Sequence, residues 1–295
     1  MNMTELLKAH AAKVEMHLSQ LMACTDTHAA QIMEAERYSL LSGGKRIRPF
    51  LVSAFSSLLG GDEKTALTLG CALEMIHTYS LIHDDLPCMD NDDLRRGRPT
   101  SHKVFGEATA VLAGDALLTH AFQVATSPEI GEKTALYATR LLSQNAGVNG
   151  MIGGQMLDMR GETEALDFET LCTLHKKKTG ALIEAACLLG CYAAQRYDEN
   201  DPALIAAKAY AHGIGLAFQI VDDCLDAIGS SSELGKTVGK DAAAGKTTFL
   251  SFMSTEKALL YAKSCTEDAK SSLSAMDGDT SVLCALANYL LNRNY

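Results

Sequence analysis

His83-Asp84-Asp85-Leu86-Pro87-Cys88-Met89-Asp90-Asn91-Asp92-Asp93 puts five carboxylates into ten residues, directly after a stretch whose apolar residues recur at helical spacing. On an uninterrupted helix, at about 100° per residue, Asp90 would stand roughly 120° around from Asp84, too far to share its ligand. Pro87 lacks an amide donor and clashes with the carbonyl four residues back, so the helix is expected to end or kink there and swing Asp90 towards Asp84. A second cluster, Phe218-Gln219-Ile220-Val221-Asp222-Asp223-Cys224-Leu225-Asp226, needs no such break. Asp222 and Asp226 are four apart and share a helix face with Gln219, which reads as a preformed ridge of oxygen ligands.

Outward from these clusters the chain reads as helical throughout. Leu6, Leu7, Val14, Leu18, Leu21 and Met22 form one apolar stripe, and Ile32, Met33, Leu40 and Leu41 a second. Gly43-Gly44 would end the second helix, and Pro49 would open a third carrying Phe50, Leu51, Phe55 and Leu58. Further helices are expected over 64–86, 107–126, 133–157, 167–195, 201–227, 246–271 and 280–292. Alternating strand-like runs are lacking, and no short repeat occurs, although an Asp-rich helix end in each half is consistent with pseudo-symmetry. With only five prolines and no Pro- or Ser-rich linker, residues 1–295 read as one all-helical domain.

The uncharged apolar runs fall short of the roughly 18 residues of a membrane span, so no stable membrane insertion is expected. Glu5, Lys8, Lys13 and Glu15 interrupt the apolar centre a signal peptide would have, which points to a cytoplasmic protein. Nine cysteines without a Cys-x-x-Cys pair read as reduced thiols, Cys71, Cys187 and Cys191 packing as small hydrophobes. The net charge of -10 argues against a nucleic-acid partner. Yet nine of the 26 basic residues sit in three runs, Lys45-Arg46-Ile47-Arg48, Arg95-Arg96-Gly97-Arg98 and Lys176-Lys177-Lys178. Such local cation clusters in an acidic chain suit small polyanions.

Clustered carboxylates in apolar surroundings need a cation, and hard divalent ions favour oxygen ligands. One motif alone reads equally well as a solvated acidic face. Two motifs with three basic runs favour magnesium and a phosphorylated ligand.

His83 to Arg98 (HDDLPCMDNDDLRRGR), with Gly43 to Pro49 (GGKRIRP), Lys178 to Gly180 (KTG) and Phe218 to Asp226 (FQIVDDCLD), resembles the trans-prenyl diphosphate synthases. The bacterial farnesyl diphosphate synthases are most similar, since their first Asp motif carries the same two-residue insertion. The resemblance runs from about residue 30 to the C-terminus. It implies a bundle of about ten or more helices around a deep central cavity, the isoprenoid synthase type, with three magnesium ions and a homodimeric assembly. It implies that Asp84 and Asp90 hold two ions and Asp222 the third, with Asp85 and Asp226 as further ligands or supports. Arg95, Lys178, Thr179, Gln219, Lys236 and Lys246 match positions around the allylic diphosphate, of which Arg95, Lys178, Thr179 and Gln219 would act in catalysis. Lys45, Arg48, His77 and Arg96 match positions that hold isopentenyl diphosphate. Ser80 lies one turn before Asp84 on the same face and is small enough to let a growing tail pass, whereas Tyr79 stands about 140° around, at the side of that path. Its role as the stop is what the resemblance implies, an aromatic five residues before the first Asp being typical of farnesyl producers.

The chemistry explains the residue types. Breaking an allylic carbon–oxygen bond creates a carbocation and pyrophosphate, whose charge metal ions, Lys and Arg can spread. The double bond of isopentenyl diphosphate then attacks, and the departing pyrophosphate can take the released proton, so no protein base is required. The expected substrates are isopentenyl, dimethylallyl and geranyl diphosphate, with farnesyl diphosphate as product. A geranylgeranyl diphosphate synthase is the rival within the fold. A terpene cyclase fits GGKRIRP poorly, and a non-catalytic subunit would be expected to have eroded motifs. His77, seven residues before Asp84, could instead satisfy a core hydrogen bond. Gly153-Gly154 could serve packing or a kink, leaving roles for Gln155 and Asp158 open, and Gly229 to Gly239 reads as a plain loop or as a lid carrying Lys236. Phe249-Leu250 departs from the relatives' aromatic-proline pair, and Arg293 resembles a basic end without an assigned task.

Overall fold

The computed structural model describes residues 2–23, 26–228 and 246–292. Thirteen α-helices are described: α1 (Met3–Leu21), α2 (Ala30–Leu40), α3 (Ile47–Leu58), α4 (Glu63–Asp84), α5 (Ser101–Phe105), α6 (Glu107–Ala125), α7 (Glu132–Ala146), α8 (Met151–Gly161), α9 (Phe168–His175), α10 (Ala181–Ala193), α11 (Pro202–Ile228), α12 (Thr255–Ser272) and α13 (Ser281–Leu291). Local chemistry starts several of them. Asn2 and Glu5 form a capping box on α1, Asp62 accepts from the Thr65 amide at 2.7 Å to open α4, and Ser254 caps α12.

Two helices are apolar almost all round and lie inside the bundle. From Leu69 to Ile76 every residue of α4 is buried, and α10 buries Ala181 to Ala193 apart from Glu184. Helix α4 packs on α6 and α3, α10 packs on α3 and α11, and α11 packs on α12. The main core runs through Val14, Leu51, Phe55, Leu73, Ile76, Leu117, Leu189 and Tyr210. A second cluster around Ile220, Val221, Phe249, Ala258 and Ala262 joins α11 to α12. Among the described residues α11 is the helix long and apolar enough to cross a membrane, a match that counting only uncharged runs misses. Its apolar window is 56% buried inside the bundle, as befits a core helix, and it carries the three acidic residues of the second motif, Asp222, Asp223 and Asp226, near its end.

Three expectations are corrected. The helix expected over 133–157 is two, α7 and α8, because Gly147 adopts an extended backbone that ends the first. The helix expected from 246 starts at Thr255, after a 3-10 turn at Phe249–Ser251 that Thr248 caps. A two-residue antiparallel ribbon, β1 (Leu94–Arg95) with β2 (Arg98–Pro99), interrupts the helices, turned by Arg96 and Gly97 at positive φ. It is too short for alternation to reveal.

Between α9 and α10 the residues Lys176–Gly180 form a single π turn. His175, just before it, stacks on Phe249 at 5.3 Å, and burial, with the Lys178 charge, pushes its pKa down to about 4. The unfolded chain therefore takes up this proton first, and His175 withdraws stability as pH falls from about 6.5 to about 4. A His175→Phe variant keeps the stack without the titration. Its stability relative to the parent should rise across that window by at most about 3 kcal/mol. Denaturant midpoints measured at several pH values check this, and a constant difference would refute it.

Candidate active site

Helix α4 ends at Asp84, with Asp85 as its C-cap. Pro87 stops it as expected, and the chain folds back so that the Asp90 amide donates to the Asp84 carbonyl at 2.8 Å. The Asp92 amide likewise reaches the Asp85 carbonyl at 3.2 Å. Asp90 is thereby brought beside Asp84. The half-buried position of Asp84, with the charge of Asp90, raises its carboxyl pKa to about 6 in spite of Lys178 and Arg95. Asp85 is buried, and both its oxygens accept from the Arg95 Nε, at 2.8 and 2.9 Å, with Nη2 on Oδ1 at 2.5 Å. The ribbon that follows the motif thus delivers Arg95 to its base.

The basic loop before α3 is anchored by a residue without an assigned task. Arg46, in the left-handed region at φ 48°, buries its side chain fully, donating to Glu74 at 2.8 Å and to the Leu40 carbonyl at 2.5 Å. This leaves Arg48 half-buried next to His77. Burial, followed by the charges of Arg48, Arg96 and Arg95, holds the His77 imidazole well below its ordinary pKa. Arg96 reaches across from the ribbon to the Gly43 carbonyl and, at 3.3 Å, to Ser42 Oγ. Arg48, His77 and Arg96 therefore converge, with Glu74 the anion acting on both arginines. Lys45 stands apart on the exposed side, its Nζ 5.6 Å from the Tyr289 ring of α13.

Opposite Asp84 lies the π turn. Lys178 Nζ donates to Asp158 Oδ2 of α8 at 2.6 Å, and Lys246 reaches the same oxygen at 3.5 Å and Glu162 at 3.0 Å. Burial would raise the Asp158 carboxyl, yet the two lysines hold it below its usual range. Gly154 serves packing, since a Cβ there would lie 2.2 Å from the Lys178 backbone nitrogen. Gln155 is half-buried one residue on. Thr179 Oγ1 donates to Gln219 Oε1, and the Gln219 amide donates to Asp222 Oδ2 at 3.5 Å. Lys178 acts on Asp84 and Lys246 is acted on by Asp90, so the two acidic motifs share one space with these cations. Asp226 is half-buried one turn after Asp222. Asp223 points elsewhere, accepting from the Phe249 amide at 2.8 Å.

Asp222 and Asp226 stand one turn apart on α11, as the spacing suggests, but Gln219 turns its nitrogen, not its oxygen, to Asp222. Among the described residues no three His, Cys, Asp or Glu side chains stand close enough to hold a metal, and the Gln219 oxygen is taken by Thr179. Lys236, the 229–239 segment and Arg293 lie outside the described residues. The residues that sequence reasoning missed are Arg46, Glu74 and Glu162, and for Glu162 the signal was present: it follows Asp158 by four, as the residue that caps α8.

A helical bundle in which acidic motifs meet lysines and arginines across one space defines an enzyme acting on diphosphate esters. The chain belongs to the polyprenyl synthetase family, whose model matches residues 29–276, and it is a short-chain prenyltransferase. It is similar to the heterodimeric geranylgeranyl pyrophosphate synthase large subunit 1 of Arabidopsis thaliana, 47% identical over 89% of this chain and 72% of that protein. It is 42% identical to the farnesyl diphosphate synthase of Escherichia coli over the whole of both chains. Among solved structures, a geranyltransferase from Helicobacter pylori complexed with magnesium and isoprenyl diphosphate matches with a TM-score of 0.85. That pair is 33% identical and covers 99% of this chain and 97% of the other.

Proposed function

We propose that this prenyltransferase condenses isopentenyl diphosphate with dimethylallyl diphosphate and then with geranyl diphosphate, ending at farnesyl diphosphate. The observation that carries the product length is Tyr79, one turn and a residue before Asp84. It is only 5% exposed, and burial, with the charge of Asp84, pushes its phenol pKa up to about 12, so it stays a neutral, bulky ring. Ser80, half-buried on the Asp84 stripe, is small and bonds back to the His77 carbonyl at 2.9 Å, leaving the tail room to pass. A further isoprene unit would bury five carbons, a gain of about 4 kcal/mol at roughly 0.8 per methylene, so growth stops only at a steric block.

Magnesium fits the donor set. It accepts one or two carboxylates, completing its shell with water and substrate phosphate. Asp84 and Asp90 on one side and Asp222 and Asp226 on the other offer such partial sites, which only the diphosphate completes. Bound there, the ions would supply positive charge to the leaving pyrophosphate.

The chain's own residues do the rest. Lys178 and Lys246, held by Asp158, and Arg95, held by Asp85, present fixed cations to the allylic diphosphate. Thr179 fixes the Gln219 side-chain amide, which turns its nitrogen to Asp222. The π turn shifts the hydrogen-bond register at Lys178 and Thr179, the kind of local break that frees backbone oxygens to face a carbocation. Arg48, Arg96 and neutral His77 form a basin of positive charge for the isopentenyl diphosphate. Exposed Val111 and Leu112 on α6, with Val148, Ile152 and Met156 near α8, support pairing with a second copy of the chain.

The geranylgeranyl reading draws support from the 47% identity to the Arabidopsis large subunit. Tyr79→Ala separates the two. In that variant the product should lengthen to twenty carbons or more, and Ser80→Phe should shorten it to ten, read by chain-length analysis of the dephosphorylated products. An unchanged distribution in Tyr79→Ala would reduce Tyr79 to core packing.

A further inference from the structure

Tyr79 and His83 lie four apart on α4 and share the face that packs against α6. Their rings meet edge to face, centroids 5.7 Å apart at 77°. The Tyr79 hydroxyl is buried and has no hydrogen-bond partner, so its ring is held by packing alone. His83, in contrast, is tied. Its Nε2 lies 3.0 Å from the Val111 carbonyl of α6, and since a carbonyl only accepts, Nε2 carries the proton and donates. The ring rests directly over Gly114. A Cβ built there would stand 2.1 Å from His83 Nε2, 2.5 Å from Cδ2 and 2.8 Å from Cε1, so no side chain fits while the ring keeps its place. The Asp115 carboxylate is 4.0 Å from the same nitrogen.

We propose that His83, clamped between the Val111 carbonyl and Gly114 of α6, is a positioning residue that holds Tyr79 in place and so sets product length. The inference rests on the reading that Tyr79 ends chain growth. Without the clamp the Tyr79 ring has one restraint fewer and swings from the path of the tail. The first condensation, whose short tail does not reach the ring, is untouched. Gly114 acts only through His83.

The test uses Gly114→Ala, His83→Ala, the double variant and Tyr79→Ala as the reference, all as full-length enzyme. Each is incubated with isopentenyl and dimethylallyl diphosphate, and the ratio of twenty- to fifteen-carbon product is read beside the rate of geranyl formation and the melting temperature. His83→Ala and Gly114→Ala should each raise the ratio about tenfold, the weight of one aromatic contact. Geranyl formation should stay within about twofold of the parent, because neither side chain contacts the diphosphates. The double variant should match His83→Ala alone and should melt no lower than it. Should Gly114→Ala fail to fold, His83→Ala and the double variant still carry the comparison. If Tyr79→Ala lengthens the product but neither His83→Ala nor Gly114→Ala does, the clamp is refuted while the Tyr79 reading stands. Additive shifts in the double variant, or slower geranyl formation with an unchanged ratio, also refute it. If Tyr79→Ala changes nothing, the reading beneath the proposal fails first.

Discussion

Replacing Asp84 or Asp222 by Asn is expected to slow turnover by several orders of magnitude while the protein stays folded. Each carboxylate lost weakens an ion whose charge stabilisation is worth several kcal/mol, and each 1.36 kcal/mol is tenfold in rate. The folded state gives an independent reason for the separation of activity from stability. Burial and the nearby Asp90 raise the Asp84 pKa to about 6, above the ordinary 3.8, so carrying its charge costs more in the folded protein than in the unfolded chain. The sign follows: this group withdraws stability above about pH 4 and does so fully above about pH 6. Asn carries no charge to penalise, and Asp84→Asn should melt at or above the parent's temperature. A site strained in its free state and relieved by its ligands is a familiar trade of stability for function. Steady-state turnover with and without magnesium, beside thermal melts, checks both halves. Near-parent activity in both Asn variants, or turnover by the parent after metal removal, would contradict the mechanism.

Lys178→Ala and Arg48→Gln should fail in different ways. Lys178 reaches Asp158 at 2.6 Å and bears on Asp84, which puts its charge where pyrophosphate departs. Removing one such preorganised group lowers kcat by about 10²- to 10³-fold. Arg48 lies with His77 and Arg96, in the basin read as the isopentenyl side. A charged grip lost equally from ground and transition states appears in KM, so Arg48→Gln should raise the KM for isopentenyl diphosphate roughly tenfold or more and spare that for the allylic substrate. Initial rates with each substrate varied in turn would show the split, and equal effects of both variants on both parameters would rule out two separate subsites.

Much of this site is legible in local sequence. Pro87 alone forecasts that α4 ends and that Asp90 returns to Asp84, because the steric rule acts within a few residues. The grouping of Arg48, Arg96 and His77 is anticipated only by resemblance, and the structure brings them together. What the sequence hides is non-local pairing. Glu74 lies 28 residues from Arg46, and nothing in either stretch says that one buried carboxylate will hold the basic loop in place. Asp158 is 20 residues from Lys178, and its charge is explained only when α8 crosses the π turn at Gly154. Phe249 is placed in the same non-local way: its amide is held by Asp223, and its ring packs on Phe168 and His175. The break between α7 and α8 escaped because apolar periodicity continues across Gly147, and only the backbone records the interruption.

The most direct test of the whole account is to supply the parent enzyme with magnesium, dimethylallyl diphosphate and radiolabelled isopentenyl diphosphate and to measure the chain length of the product. The account predicts magnesium-dependent label in a fifteen-carbon product, with ten-carbon intermediate at early times. A twenty-carbon product would contradict the role given to Tyr79, and no condensed product at all would contradict the assignment of the site.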